Sequence, residues 1–196
     1  MDEAGRGPLC GPVVAAAVIL PAFRALPDSL VDIDDSKRLS AAQRESLSVA
    51  IRAEAVAFGM GACEAEEIDR LNIRRATLLA MRRAVGALRL VEDAVSAVVP
   101  GYVLVDGRDV PPGLPCPARA VVKGDQLSAS IAAAAILAKT HRDGIMAGLA
   151  GRYPGYGWEH NAGYPTAEHL AALERLGVTP VHRRSYAPVA RLLGLF

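Results

Sequence analysis

The feature that most constrains the fold is an uninterrupted apolar run, Val13–Leu20, which Pro21 brings to an end. The run is too short to cross a bilayer, which takes about 20 apolar residues, and its length is typical of a buried β-strand. With 196 residues, 52% hydrophobic and 22% charged, the chain is long enough for a sizeable core. We therefore expect one globular domain over residues 1–196.

Helical and strand patterns follow this run along the chain. Ser40 and Gln43 are typical of a capping box and predict a helix to about Ala53. Apolar residues at helical spacing predict a second helix over Ile73–Leu90, with arginines on its other face. The other predicted elements are strands at Val56–Ala62, Tyr102–Val105 and Arg119–Val122, and helices at Ser128–Gly148 and Thr166–Leu176 with Gly177 as C-cap. This order predicts an α/β domain with a mixed sheet.

Two adjacent carboxylates near the N-terminus, Asp2 and Glu3, are followed by the turn Gly5-Arg6-Gly7. Carboxylate oxygens are the preferred ligands of Mg²⁺ and Mn²⁺, and a Gly-Arg-Gly segment lets backbone N–H groups and one cation approach an anion. This combination suggests metal-assisted phosphoryl chemistry. Adjacent residues of a regular strand point to opposite faces, so both carboxylates serve one site only if the strand twists or bulges. The alternative is an exposed acidic terminus without a role.

Two predicted strands lead into further carboxylates, Asp106 and Asp125. Ligand sites of open α/β sheets form at strand ends, so these side chains and the N-terminal pair could converge. Taken alone, Asp106 is a turn residue before Gly107, and Asp125 is a helix N-cap. Only the combination favours a site.

The cysteine pattern indicates a reducing compartment, and the net charge does not identify a partner. The net charge of +1 argues neither for nor against nucleic acid. Cys10, Cys63 and Cys116 are odd in number and far apart, so neither a disulfide framework nor a zinc site is indicated. Acidic residues precede the apolar run where a signal peptide would carry positive charge, so we expect a cytoplasmic protein without membrane attachment.

An ordered set of short motifs resembles the bacterial ribonuclease HII family over essentially the whole chain. The set comprises Asp2-Glu-Ala-Gly-Arg-Gly-Pro8, Asp35-Ser-Lys-Arg-Leu-Ser40, Glu67-Ile-Asp-Arg-Leu-Asn-Ile73, Val105-Asp-Gly107, Lys123-Gly-Asp125, Ser130–Lys139, Arg142-Asp143, Gly163-Tyr-Pro-Thr166 and His182-Arg-Arg-Ser-Tyr-Ala-Pro188. The resemblance implies a ribonuclease H-like fold: a mixed five-stranded sheet flanked by helices, with a helical C-terminal extension from about residue 150.

The resemblance also implies an activity. Such a protein is a monomeric endonuclease that cleaves RNA in RNA–DNA hybrids and single ribonucleotides embedded in duplex DNA. The implied products carry 5′-phosphate and 3′-hydroxyl ends. The implied role is ribonucleotide removal during DNA replication and repair. The implied cofactor is a divalent metal, Mn²⁺ or Mg²⁺, with two ions during catalysis. Its implied ligands are Asp2, Glu3, Asp106 and Asp125, with Asp143 near them. The residues implied to read the ribonucleotide junction are Gly5, Arg6, Gly7 and Tyr164. Lys37 and Arg183 are candidate phosphate contacts.

Three departures from the family pattern bear on these expectations. Ala135 stands where the family often has Ser, and Ala162 where Lys often precedes Gly-Tyr. Only Met1 precedes Asp2, so we expect the first strand to be anchored from its C-terminal side alone and to gain stability and metal affinity from added β-favouring residues.

Rival interpretations stay open on the sequence alone. One is a ribonuclease HIII-like enzyme, which usually has Gly-Lys-Gly and an extra N-terminal domain. Another is a hybrid-binding protein impaired by its short first strand. The apolar end Leu192–Phe196 is either a packed or frayed tail or a docking segment for a partner such as a sliding clamp.

Overall fold

A computed structural model describes residues 1–22, 27–34, 36 and 38–195. Lys37 lies outside the described residues, so its predicted role stays a prediction. The strands are β1 (Asp2–Ala4), β2 (Val13–Ile19), β3 (Ala57–Cys63), β4 (Arg89–Leu90), β5 (Val103–Asp106) and β6 (Ala118–Val121). The α-helices are α1 (Ala41–Glu54), α2 (Ala65–Leu71), α3 (Ile73–Gly86), α4 (Ala129–Arg152), α5 (Trp158–Asn161), α6 (Ala167–Leu176) and α7 (Ala187–Leu192).

The strands form two hydrogen-bonded groups that meet at Met1. Strands β1, β2, β3 and β4 are antiparallel neighbours in that order, and β5 pairs with β6 in parallel. The Met1 ammonium group donates to Leu104 O at 2.7 Å, and Asp106 N donates to Met1 O at 3.0 Å. These two bonds place β1 beside β5 in parallel, so the sheet is mixed as predicted. The expectation that β1 is anchored only from its C-terminal side is wrong, because Met1 is bonded to β5.

Strand β2 is buried on both faces and separates two layers of helices. Val13, Ala15 and Ala17 pack in one cluster with α3, and their alternating neighbours pack in a second cluster with α1 and α4. On β3, α3 approaches so closely that a Cβ on Gly61 would lie 2.2 Å from Ala80 O. The glycines of β3 therefore allow this helix to seat on the sheet.

The C-terminal residues form a third cluster around Trp158. Leu9 and Cys10 pack there with Tyr156, Leu173 and Val189. Backbone hydrogen bonds also join the segment between β1 and β2 to the C-terminal residues: Leu9 N donates to Gly163 O at 2.8 Å, and Gly11 N donates to Val181 O at 2.9 Å. The second half of the segment between β1 and β2, residues 8–12, is thus buried against the C-terminal residues.

Several predicted boundaries needed correction. The helix predicted to reach Leu90 ends at Gly86, because Arg89 and Leu90 pair with β3 as β4. The sequence interpretation missed α2, although Glu64 and Glu67 form a capping box there. The capping box of α1 and the C-cap at Gly177 are confirmed. Within the described ranges, no helix combines the length and apolar character needed to cross a membrane.

Candidate active site

Three of the four predicted carboxylates meet where β1 lies beside β5. Asp2 and Glu3 are on β1, and Asp106 ends β5 with its backbone N–H bonded to Met1 O. Asp106 Oδ1 accepts from Gly124 N at 2.7 Å, which ties the turn containing the fourth carboxylate, Asp125, to this point. Three of the predicted carboxylates therefore lie at one strand end, and the turn that contains Asp125 is bonded to it through Gly124.

Strand β1 has no bulge, although a bulge was one way in which the adjacent Asp2 and Glu3 could serve one site. Asp2, Glu3 and Ala4 pair with Ala16, Ala15 and Val14 in regular register. The carboxylate of Asp2 is buried, with 7% of the residue exposed, whereas Glu3 is partly exposed and lines an open groove with Asp106. Asp2 is not among the residues that line this groove, but its carboxylate is close enough to Glu3 and Asp106 for their charges to act on it.

Electrostatics show that these carboxylates repel one another. Burial raises the pKa of Asp2 well above its usual value, and the negative charges of Glu3 and Asp106 raise that pKa further. Glu3 N donates to Asp2 Oδ1 at 2.6 Å, which opposes the rise. Buried anions of like charge are stabilised by a cation held between them. The all-oxygen donor set fits Mg²⁺ or Mn²⁺.

Arginines border the carboxylate groove. Arg6 Nη1 lies 3.3 Å from Glu3 Oε1, and its side chain is mostly exposed. Arg74 of α3 forms an ion pair of 2.6 Å with Asp109, and both line the groove with Arg108. The arginine face of α3 was evident in its helical spacing, but which arginine reaches this groove depends on how the helix packs.

The Gly-Arg-Gly turn lies directly beside Tyr164. A Cβ on Gly7 would be 3.3 Å from Tyr164 Cε1, so a side chain at this position would crowd the tyrosine ring. Gly5 has a φ of 92°, and a Cβ there would lie 2.0 Å from Arg142 Nε. Tyr164 itself is 43% exposed. The structure thus joins the turn and the tyrosine into one surface next to the carboxylates.

Arg183 does not lie where a phosphate contact was expected. Its side chain is buried, and its guanidinium donates to the carbonyl oxygens of Gly5, Arg6 and Gly11. This assignment needs correction, since a histidine-arginine cluster in a sequence gives no sign of burial. Asp143 forms an ion pair of 2.7 Å with Lys139 and lines a groove with Arg44.

A second cluster, Cys10, His169 and His182, was not predicted. One possible ligand atom from each side chain lies within 4.8 Å of the other two, and all three residues are buried. Both rings are already used in hydrogen bonds: Trp158 Nε1 donates to His169 Nε2 at 2.9 Å, and Thr179 N donates to His182 Nδ1 at 3.0 Å. His169 Nδ1 then donates to Tyr164 O at 2.9 Å. We interpret this cluster as a neutral hydrogen-bond network that supports Tyr164.

Comparisons with known proteins agree on one family. The family model described as Ribonuclease HII matches residues 1–189. A ribonuclease HII from Rhodospirillum rubrum is 58% identical over 194 residues, which cover 98% of this chain and 85% of that protein. The crystal structure of ribonuclease H2 from Pyrococcus horikoshii OT3 aligns with a TM-score of 0.82 and 26% identity, over 99% of this chain and 95% of that one.

A more distant solved structure shares the fold. The crystal structure of Bst-RNase HIII in complex with Mn²⁺ aligns with a TM-score of 0.68 and 17% identity, over 99% of this chain and 68% of that one.

Proposed function

The chain belongs to the ribonuclease HII family, and we propose that it cleaves the RNA strand of RNA–DNA hybrids and single ribonucleotides embedded in duplex DNA. The observation that carries the proposal is the position of Asp2, Glu3 and Asp106 at one strand end, next to the surface formed by the Gly-Arg-Gly turn and Tyr164. The protein is a hydrolase of the ribonuclease H type. The family model favours this interpretation over a ribonuclease HIII-like enzyme.

Each group has a distinct task in this proposal. Asp2, Glu3, Asp106 and Asp125 would hold Mn²⁺ or Mg²⁺, which when bound supplies activation of the attacking water and stabilisation of the leaving 3′-oxygen. Arg6 and Arg74 lie at the rim, where cations position the phosphate backbone without reading sequence. The products would carry 5′-phosphate and 3′-hydroxyl ends, in a role in ribonucleotide removal from DNA.

In this proposal, the Gly-Arg-Gly turn and Tyr164 discriminate RNA from DNA. The 2′-hydroxyl is the group that separates the two sugars, because it both donates and accepts. Backbone groups of Gly5-Arg6-Gly7 can reach it without a side chain in the way, and the half-exposed ring of Tyr164 can stack on the adjoining sugar or base.

The test is a cleavage assay with either Mn²⁺ or Mg²⁺. Four labelled substrates are compared: a duplex with one ribonucleotide, a long RNA–DNA hybrid, the all-DNA duplex and single-stranded RNA. We expect cleavage of the first two only, and ligation of the products to a 3′-hydroxyl acceptor reports the 5′-phosphate. Binding of the ribonucleotide duplex without any product would instead favour a hybrid-binding protein.

A further inference from the structure

Arg183 uses every N–H of its guanidinium inside the protein. Nη2 donates to Gly5 O at 2.6 Å and to Gly11 O at 2.9 Å, and Nε also donates to Gly11 O, at 3.0 Å. Nη1 donates to Arg6 O and to Tyr186 Oη, each at 3.0 Å. A guanidinium has five N–H groups in a fixed plane, so none is left for a substrate.

These bonds fix the direction of two peptide groups in the Gly-Arg-Gly turn. In a planar trans peptide the C=O and the following N–H point in opposite directions. Because the carbonyl oxygens of Gly5 and Arg6 point inward to Arg183, the N–H groups of Arg6 and Gly7 point outward. Neither N–H donates to another residue within the part of the chain that the structure describes, and both residues are exposed.

A second buried arginine, Arg142, binds the end of the same segment, just before β2. Arg142 donates to Pro12 O and Ala162 O, each at 3.0 Å, and to Cys10 O at 3.2 Å. Burial and the nearby charge of Arg183 lower the pKa of Arg142 to about 10, which leaves Arg142 charged at neutral pH. Burial also lowers the pKa of Arg183, but a guanidinium group is not deprotonated in proteins. Two cations therefore lie behind the turn whose N–H groups face solvent, which favours an electronegative ligand on the outer side.

We propose that Arg183 is a positioning residue for substrate recognition: it holds the Arg6 and Gly7 N–H groups outward as preformed donors to an oxygen of the ribonucleotide, either a phosphate oxygen or the 2′-hydroxyl. The inference rests on the proposed function. Donors that are fixed before binding lose no freedom when the ligand arrives, which is the physical advantage of the arrangement. Lysine cannot replace arginine here, because one ammonium group with three N–H bonds cannot make the five hydrogen bonds that Arg183 donates to three carbonyl oxygens and one hydroxyl oxygen.

The first test compares Arg183→Lys with the matched control Arg184→Lys, since Arg184 is exposed and adjacent. Dissociation constants are measured without divalent metal for a duplex with one ribonucleotide and for the same duplex in all-DNA form. For Arg183→Lys we expect the preference for the ribonucleotide to fall about tenfold or more, with an unchanged salt dependence of binding. The control should keep the preference of the parent protein.

The salt dependence separates positioning from direct contact. Loss of a phosphate contact would lower the slope of log affinity against log salt by about 0.9 and weaken both duplexes equally; that result would overturn the proposal. An unchanged preference in a folded variant would also overturn it, because a purely structural role affects stability and not selectivity.

A second test removes one N–H and leaves the Arg183 side chain in place. Residues 1–9 are synthesised as a thioester and ligated to the chain that begins at Cys10, so the full natural sequence is restored. An ester in place of the Arg6–Gly7 amide deletes the Gly7 N–H, and we expect the same loss of preference. An ester at Pro8–Leu9 is the control: it deletes the bond from Leu9 N to Gly163 O, so it should lower the melting temperature and leave the preference intact.

The outcomes distinguish the two proposals. If the parent protein shows no preference for the ribonucleotide duplex and no cleavage, the proposed function itself fails. If the parent protein discriminates and the Arg6–Gly7 ester discriminates equally well, only the positioning role is overturned.

Discussion

At the scale of single residues, Asp106 is held in the site by both its backbone and its side chain. Its backbone bonds to Met1 and its side chain accepts from Gly124 N. Asp106→Asn keeps an oxygen for Gly124 but removes the charge that a hard cation needs. We expect cleavage to fall at least about a hundredfold, beyond the effect typical of groups that only orient a metal ligand.

The same substitution should not weaken the fold. Removal of the Asp106 charge relieves its repulsion of the buried Asp2, so we expect the melting temperature to stay the same or rise. Glu92→Gln, at an exposed position, is the control for loss of one negative charge. Parental turnover of Asp106→Asn at saturating metal would contradict the metal assignment.

Tyr164 is expected to control selectivity. Loss of one stacking contact costs about 1–3 kcal/mol, so Tyr164→Ala should reduce cleavage at a single ribonucleotide about tenfold more than cleavage of a long hybrid. Tyr164→Phe keeps the ring and should retain most activity on both substrates. The kcat/KM ratio of the two substrates is the measurement, and an equal loss on both would mean that Tyr164 only packs.

The residues that carry the chemistry of the site were more predictable from the sequence than the residues that hold them in place. Asp2, Glu3, Asp106 and Tyr164 belong to short motifs whose residue types suit a metal-dependent nuclease. The role of Arg183 was not predictable from sequence, because its partners are backbone carbonyl oxygens far away along the chain. Carbonyl groups carry no residue signature, so only the fold reveals which arginine they surround.

At the scale of secondary structure, the predicted elements largely exist and their ends depend on tertiary contacts. Apolar spacing continues to Leu88, yet α3 stops at Gly86 because the following residues pair with β3. Glycine is unfavourable in a strand by propensity alone, yet β3 contains two glycines. Strand β3 has glycines at these positions because α3 approaches it closely, and a single sequence does not show that contact.

That close approach leads to a prediction about stability. A Cβ at position 61 would lie 2.2 Å from Ala80 O and 2.5 Å from Ala84 N, both backbone atoms that move only with the helix. Gly61→Ala should therefore lower the free energy of unfolding by about 3 kcal/mol. Gly148→Ala in α4, where a new Cβ meets nothing within 4 Å, should raise it by about 0.5–1 kcal/mol. Urea unfolding of both variants measures the difference, and equal effects would contradict the packing argument.

At the scale of the whole molecule, the N-terminal loop joins the sheet to the C-terminal helices. Cys10 pairs with His182 as an isolated β-bridge, and Arg183 N donates to Leu9 O at 2.8 Å. The carboxylates lie on one side of this junction and the buried histidine network on the other. Stability of the network is therefore expected to matter for the geometry of the whole site.

The histidine network predicts how stability depends on pH. Burial, and after it the neighbouring His169, lower the pKa of His182 from its ordinary value of 6.5 to about 4. The unfolded chain takes up a proton at His182 below pH 6.5, whereas the folded chain does so only near pH 4. This group therefore favours folding fully above pH 6.5, and its contribution of about 3 kcal/mol is lost as the pH falls from 6.5 to about 4.

The variant that tests this effect is His182→Asn, whose side-chain oxygen can still accept from Thr179 N. We expect lower stability than the parent at pH 7.5, because ring packing is lost, but a smaller decline between pH 7.5 and pH 5. His160→Gln, at an exposed position, should keep the parental decline. Since other groups titrate in the same range, the measurement is the difference between variant and parent in urea-derived unfolding free energy at each pH. Parallel curves for His182→Asn and the parent would mean that the buried imidazole does not resist protonation, and the neutral network would then be the wrong description of this core.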